Sequence, residues 1–150
     1  MKLYTIGFTK KSAQQFFEIL KANNVDLVLD VRINNKSQLA GFTKSDDLEY
    51  FLKQICGCSY KHGLEFAPTK NILENYRDKK ITWEDYEKEY TELLLYRNEE
   101  SDICDGFTQN YESFNNIALL CSEATAEKCH RRLAAEIICR FNQDIHVINL

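Results

Sequence analysis

No stretch of this 150-residue chain is long and apolar enough to span a bilayer, which excludes a helical integral membrane protein. Positive charge is not in excess either. Nineteen Lys and Arg against 23 Asp and Glu leave a net charge of −4. No global basic field is therefore available to hold nucleic acid non-specifically, although a local basic patch is compatible with that balance. The opening MKLYTIGFTKK has only a short apolar run bounded by lysines, unlike a signal peptide. Repeats, linkers and low-complexity tracts are missing. GFTKKS has a single glycine and no Walker spacing. A cysteine-phosphatase loop needs arginine six positions after its cysteine, and Glu127 stands six after Cys121. Cys56-Gly57-Cys58 looks like half a metal clip, but no second paired-cysteine motif follows it.

What is present is ordinary for a globular protein: 44% apolar and 28% charged residues. The length suits one domain spanning residues 1–150, able to bury roughly two-thirds of its unfolded surface without staples. A cytoplasmic location is expected, so the six cysteines, at 56, 58, 104, 121, 129 and 139, read as thiols or metal ligands rather than disulfides.

KLYTIGF is a β-type run that stops at Gly7, and Ser12 is placed to cap a helix over Ala13–Ala22. VDLVLDVR is continuously apolar, as a strand buried on both faces of a parallel sheet requires. INNKSQLAGFT reads as a loop, followed by a helix from Asp46 to about Ile55 with Ser45 as its cap. CSYKHG is a short strand ending at His62, and Pro68-Thr69 opens another helix. TWEDYEKEYTELLLYR is a long helix capped by Thr82 with Asp85 in the third position. Its Trp83, Tyr86 and Tyr90 face is expected to pack on the sheet. GFTQNYESFNN is weakly helical. IALLC is a second buried strand, AEKCHRRLAAEIICRF an amphipathic helix and DIHVINL a final strand. The alternation gives an α/β fold: a mostly parallel central sheet of about four to five strands, helices on both faces, in a Rossmann-like three-layer arrangement.

In such sheets ligands sit outside the carboxyl ends of the strands. Those ends are Gly7-Phe8-Thr9, Asp30-Val31-Arg32, Tyr60-Lys61-His62 and Cys121-Ser122-Glu123, where the unusual polar residues collect. Cys121 ends its strand, Glu123 lies in the following turn, and Cys129, His130 and Arg131 occupy the first turns of the next helix. A helix N-terminus favours anions and lowers a thiol's pKa. Each residue also has a plainer reading. A cysteine is often a small buried hydrophobe. Asp30 and Arg32 form either an ion pair that fixes the loop or an anion site. His62 is a proton carrier or a surface histidine. Zinc drawn from Cys121, Cys129 and His130 or His62 is disfavoured, because adjacent residues rarely chelate one ion together. Neither a metal nor a cofactor is expected.

YTIGFT, DVR at 30–32, SYKHGLEFAPT at 59–69, ITWEDYEKEY and LLCSEATAEKCHRR follow one another in the order of a known pattern. On these stretches the chain resembles the bacterial and archaeal family called domain of unknown function 488. The resemblance places Arg32, His62, Cys121, Glu123, Cys129, His130 and Arg131 on the family's motif positions. It implies membership without an assigned reaction. The chain departs from the pattern at Phe8, Asn35 and Gln38, while Ser37 is kept.

The leading expectation is an enzyme acting on a small anionic, phosphorylated or nucleotide-like substrate. Asp30, Arg32, Ser37 and Arg131 would hold the anion, Cys121 or Cys129 would be the nucleophile, and Glu123, His130 or His62 would move protons. One alternative is a non-catalytic nucleotide or nucleic-acid binding module with Lys36, Lys44, Lys61 and Lys70 as rim and Tyr60 and Phe42 for stacking. A second is a thiol redox or metal sensor. No membrane partner is expected, and the sequence sets no oligomeric state.

Overall fold

The computed structural model describes residues 1–36 and 40–150. Five strands form one wholly parallel sheet in the order β3-β2-β4-β1-β5, with β1 Lys2–Gly7, β2 Leu27–Asp30, β3 Ser59–His62, β4 Asn116–Cys121 and β5 His146–Asn149. Six α-helices cover it: α1 Ala13–Ala22, α2 Ser45–Phe51, α3 Lys70–Arg77, α4 Trp83–Ser101, α5 Phe107–Asn110 and α6 His130–Phe141. No helix among the described residues is long and apolar enough to cross a membrane.

Strand alternation sorts the apolar side chains into two cores, one on each face of the sheet. Leu3, Leu29, Leu119 and Cys121 face α3, α4 and α6, whose Tyr90, Leu133 and Ile137 are buried against them. Tyr4, Ile6, Val28 and Leu120 face α1 and α2, meeting Phe16, Leu20 and Leu48. Each such fully buried side chain contributes about 1.5–3 kcal/mol to folding. Caps start the helices where the sequence predicts. Ser12 and Gln15 form a capping box on α1, Thr82 and Asp85 one on α4, and Thr69 caps α3.

Two boundaries differ from expectation. Lys44, not Ser45, is the N-cap of α2, which gives way after Phe51 to a π-helical turn, Leu52–Cys56, ended by Gly57 at φ 64°. α6 starts at His130, four residues later than the pattern suggests, with Cys129 extended as its N-cap. The Glu123 and Glu127 carbonyls accept from the Arg131 and Arg132 side chains, and Ser122 O from Thr9 N–H. The segment before α6 is thus held by contacts that helical bonding would displace.

The strand order fixes where a site can form. β1 runs through α1 on one face towards β2, whereas β4 runs through α6 on the other face towards β5. The connections leaving these adjacent strands diverge, and a crevice opens between them at the carboxyl edge. Gly7 and Cys121, the last residues of the two strands, are register partners there.

Candidate functional site

A cavity of about 950 Å³ opens over this switch point. It runs across the sheet edge, from Phe8 and Phe42 on the α1 side to Tyr76 and Trp83 on the α4 side. Cys121, Ser122, Glu123, Cys129 and His130 lie between. Among the described residues five cationic side chains line it, Lys10, Lys11, Arg32, Arg77 and Lys128, against the single carboxylate of Glu123. A chain with net charge −4 has gathered a positive field at one place.

Cys121 sits at the base of that cavity, 3% exposed. Its Sγ lies 3.7 Å from His130 Nε2 and 3.9 Å from Nδ1. His130 Nε2 is also 2.9 Å from the Val31 carbonyl, which can only accept, so Nε2 carries the proton. The ring leans on Tyr90, with centroids 5.6 Å apart. Arg131 turns inward from the same helix and is wholly buried. It donates to Glu123 O at 2.7 Å and to Cys129 Sγ at 3.3 Å, while its Nε has no partner. Among the described residues no carboxylate pairs with it. Gly7 makes this closure possible, since a Cβ there would stand 1.7 Å from Glu123 O.

A buried guanidinium without a carboxylate calls for another anion. The two sulfurs supply it. The two sulfurs lie within 4.8 Å of each other, and the Cys129 thiol, with the charges of His130 and Arg131 and against the burial penalty, holds Cys121 well below the usual thiol pKa. Cys129 accepts from Arg131, but the neighbouring Cys121 sulfur and burial outweigh that help and push its pKa up. Of the two sulfurs, Cys121 is the one favoured as the thiolate. Burial alone would disfavour an imidazolium at His130, but the Cys121 sulfur and the Val31 carbonyl outweigh it and raise the ring's pKa.

Asp30 and Arg32 form the loop-fixing pair. Arg32 Nε and Nη2 reach the two Asp30 oxygens at 2.8 and 2.6 Å, and Nη2 also donates to Thr43 O at 2.8 Å. Tyr60 donates to Asp30 at 2.8 Å. This ties β2, β3 and the segment at Thr43 together, leaving Arg32 only an edge on the cavity. His62 does not line it. Its Nε2 donates to Arg32 O at 2.7 Å, one peptide beyond the carbonyl that His130 holds. Ser37 and Gln38 lie outside the described residues.

The structure thus brings Cys121, Glu123, Cys129, His130 and Arg32 to one cavity, and puts Arg131 beneath it. The sequence reading missed the lysines. Lys61 sits over the Tyr111 and Phe114 rings and Lys70 pairs with exposed Glu74, and neither they nor Lys36 and Lys44 line the cavity. Lys10, Lys11, Lys128 and Arg77 do. Their signal was position: Lys10 and Lys11 follow a strand end, and Lys128 precedes α6. Trp83 was also missed, since helical spacing alone reads it as packing.

Cys121 Sγ, Cys129 Sγ and a His130 ring nitrogen lie within 4.8 Å of one another. That donor set suits a thiophilic cation but is one short of the four ligands of a structural zinc site. No curated protein and no solved structure matches the chain. A family model, described as Domain of unknown function DUF488, matches residues 12–138. That match covers most of the chain, and the protein belongs to the family with Domain of unknown function DUF488.

Proposed function

We propose that the chain is an enzyme that uses the Cys121 thiolate as a nucleophile on a small anionic substrate. The observation that carries this reading is Cys121 at the base of a cavity lined, among the described residues, by five cations and one carboxylate, 3.7 Å from His130 Nε2 and beside the buried Arg131 that no carboxylate pairs. The lysines and Arg77 attract and hold the anion, and Cys121 attacks its electrophilic atom. The bond from that atom to the leaving group breaks, and the leaving group takes the Cys129 proton, which is freed once Cys121 no longer carries the charge. A water deprotonated by the Glu123 carboxylate then hydrolyses the Cys121 adduct. Arg131, Asp30, Arg32 and His62 position the loops that carry these groups.

Site-resolved alkylation with iodoacetamide between pH 5 and 9, read by peptide mass spectrometry, tests the proposal. Cys121 labels at pH 6 well ahead of Cys139, and a chelator leaves its rate unchanged. Silence of Cys121 until the protein is denatured sinks the nucleophile reading. The same charged lining also favours a second reading, a binding module for an anion. A Cys121→Ser variant separates the two, because it abolishes turnover in an enzyme and leaves ligand binding intact in either case.

A further inference from the structure

We propose that the anion this cavity takes carries a planar heteroaromatic ring, placing the substrate in the nucleoside monophosphate class. The inference rests on the anionic-substrate reading above and adds the identity of the uncharged half. Its basis is a column of aromatic rings on α4. Tyr90 and Tyr86 stack at 6.1 Å with their planes 7° apart, and Tyr86 and Trp83 at 5.2 Å and 19°. Positions 83, 86 and 90 share one helix face, so the column climbs from beside His130 towards the start of α4. Its inner members are buried, whereas Trp83 is half-buried and lines the cavity. Tyr76, also half-buried and lining the cavity, meets Trp83 edge-on at 5.7 Å. A ligand ring laid on Trp83 continues an existing stack, with Tyr76 as a side wall.

The cavity's size argues the same way. At about 950 Å³ it lies near the top of the roughly 300–1,000 Å³ range of small-molecule sites, far more than a bare oxyanion fills. Three of its cations come from elements other than those of the aromatic wall: Lys10 and Lys11 follow β1, and Lys128 precedes α6, while Arg77 lies beside Tyr76. Lys10 adopts φ 64°, and Lys11 N–H closes a turn onto Phe8 O at 3.1 Å, so a left-handed bend presents these lysines at the rim. An anionic group held there and a ring held on Trp83 describe a phosphate ester with a base. Stacking on aromatic side chains tolerates any base, because each has a π-face. The cavity is therefore expected to prefer nucleotides as a class and to discriminate little among bases.

Trp83 is the chain's only tryptophan, so its emission reports occupancy of this wall without a label. The test is titration of the full-length Cys121→Ser protein with four nucleoside 5′-monophosphates, the matching nucleosides, ribose 5-phosphate and inorganic phosphate. Nucleotides are expected to quench saturably at concentrations at least tenfold below those needed for ribose 5-phosphate or nucleoside. By calorimetry, Trp83→Ala weakens nucleotide binding fivefold or more and leaves ribose 5-phosphate unchanged, while Trp83→Phe retains most of the affinity. Equal affinity for ribose 5-phosphate and nucleotide overturns the inference. So does binding of no nucleotide below millimolar concentration. Protection of wild-type Cys121 from alkylation keeps the two proposals separable. If ribose 5-phosphate protects as well as a nucleotide does, the anion site stands and the base site falls. If Cys121 does not label in the free protein, the nucleophile falls whatever Trp83 reports.

Discussion

Two buried arginines sit on adjacent parts of the site and are neutralised in different ways. Arg32, after β2, has a bidentate carboxylate partner, a backbone carbonyl and the Phe8 ring 5.2 Å away. Arg131, in the first turn of α6, has one carbonyl, one sulfur and an unpartnered Nε. A carboxylic acid needs no lowering of its pKa to pair with a guanidinium at neutral pH. Arg131 has only thiols near it, and a thiol becomes an anion only if its pKa falls. The first arrangement builds a loop, and the second stabilises a reactive group. The lesson is that a buried cation's missing carboxylate is informative, because the charge is balanced by whichever acid the fold puts within reach.

The comparison breaks most visibly at Asp30. Replacing it with Asn leaves Arg32 buried without its anion, and a loss of about 3–5 kcal/mol is expected in urea unfolding. Arg131→Met removes a charge that has no carboxylate, so its loss of stability is expected to be at most about half as large, about 1–2 kcal/mol. Its other effect is on reactivity: the pH at which Cys121 labelling falls off moves up, because one of the charges that lower its pKa is gone. If Arg131→Met destabilises as much as Asp30→Asn and leaves labelling unchanged, the two arginines do the same job and the distinction fails.

The pH dependence sharpens the contrast. Folding lowers Cys121 from the ordinary thiol value of 9.0, chiefly through the neighbouring Cys129 thiol, with His130 and Arg131 of α6 adding to it. Its thiolate is therefore present at neutral pH, and its labelling rate stays level from pH 9 downwards until it falls as pH drops through the lowered value. Burial shifts Cys139 the other way, so its rate climbs about tenfold per pH unit across that range and has not levelled off by pH 9. Stopped labelling at a series of pH values checks both slopes. The smallest expected effect is a control: Ser12→Ala removes the α1 cap, lowers stability by about 1 kcal/mol in thermal unfolding and leaves Cys121 labelling as it was.

The sequence by itself determined the class of fold, the positions of most elements and the family. Hydrophobic runs at VDLVLD and IALLC, and caps at Ser12, Thr69 and Thr82, act through neighbours within a few residues, so they are readable in one dimension. The proximity of Cys121, Cys129 and His130 was legible too, because a strand end and the next helix start bracket them. Only the tertiary structure decided that β4 inserts between β1 and β2, which creates the switch point and puts Gly7 beside Cys121. It also turned Arg131 inward, tied His62 to the Arg32 carbonyl, and brought Lys10, Lys11, Arg77 and Trp83 to one cavity. The physical reason is that strand order and side-chain direction come from pairings and packing between distant segments. Local propensity carries no record of which distant segment will arrive.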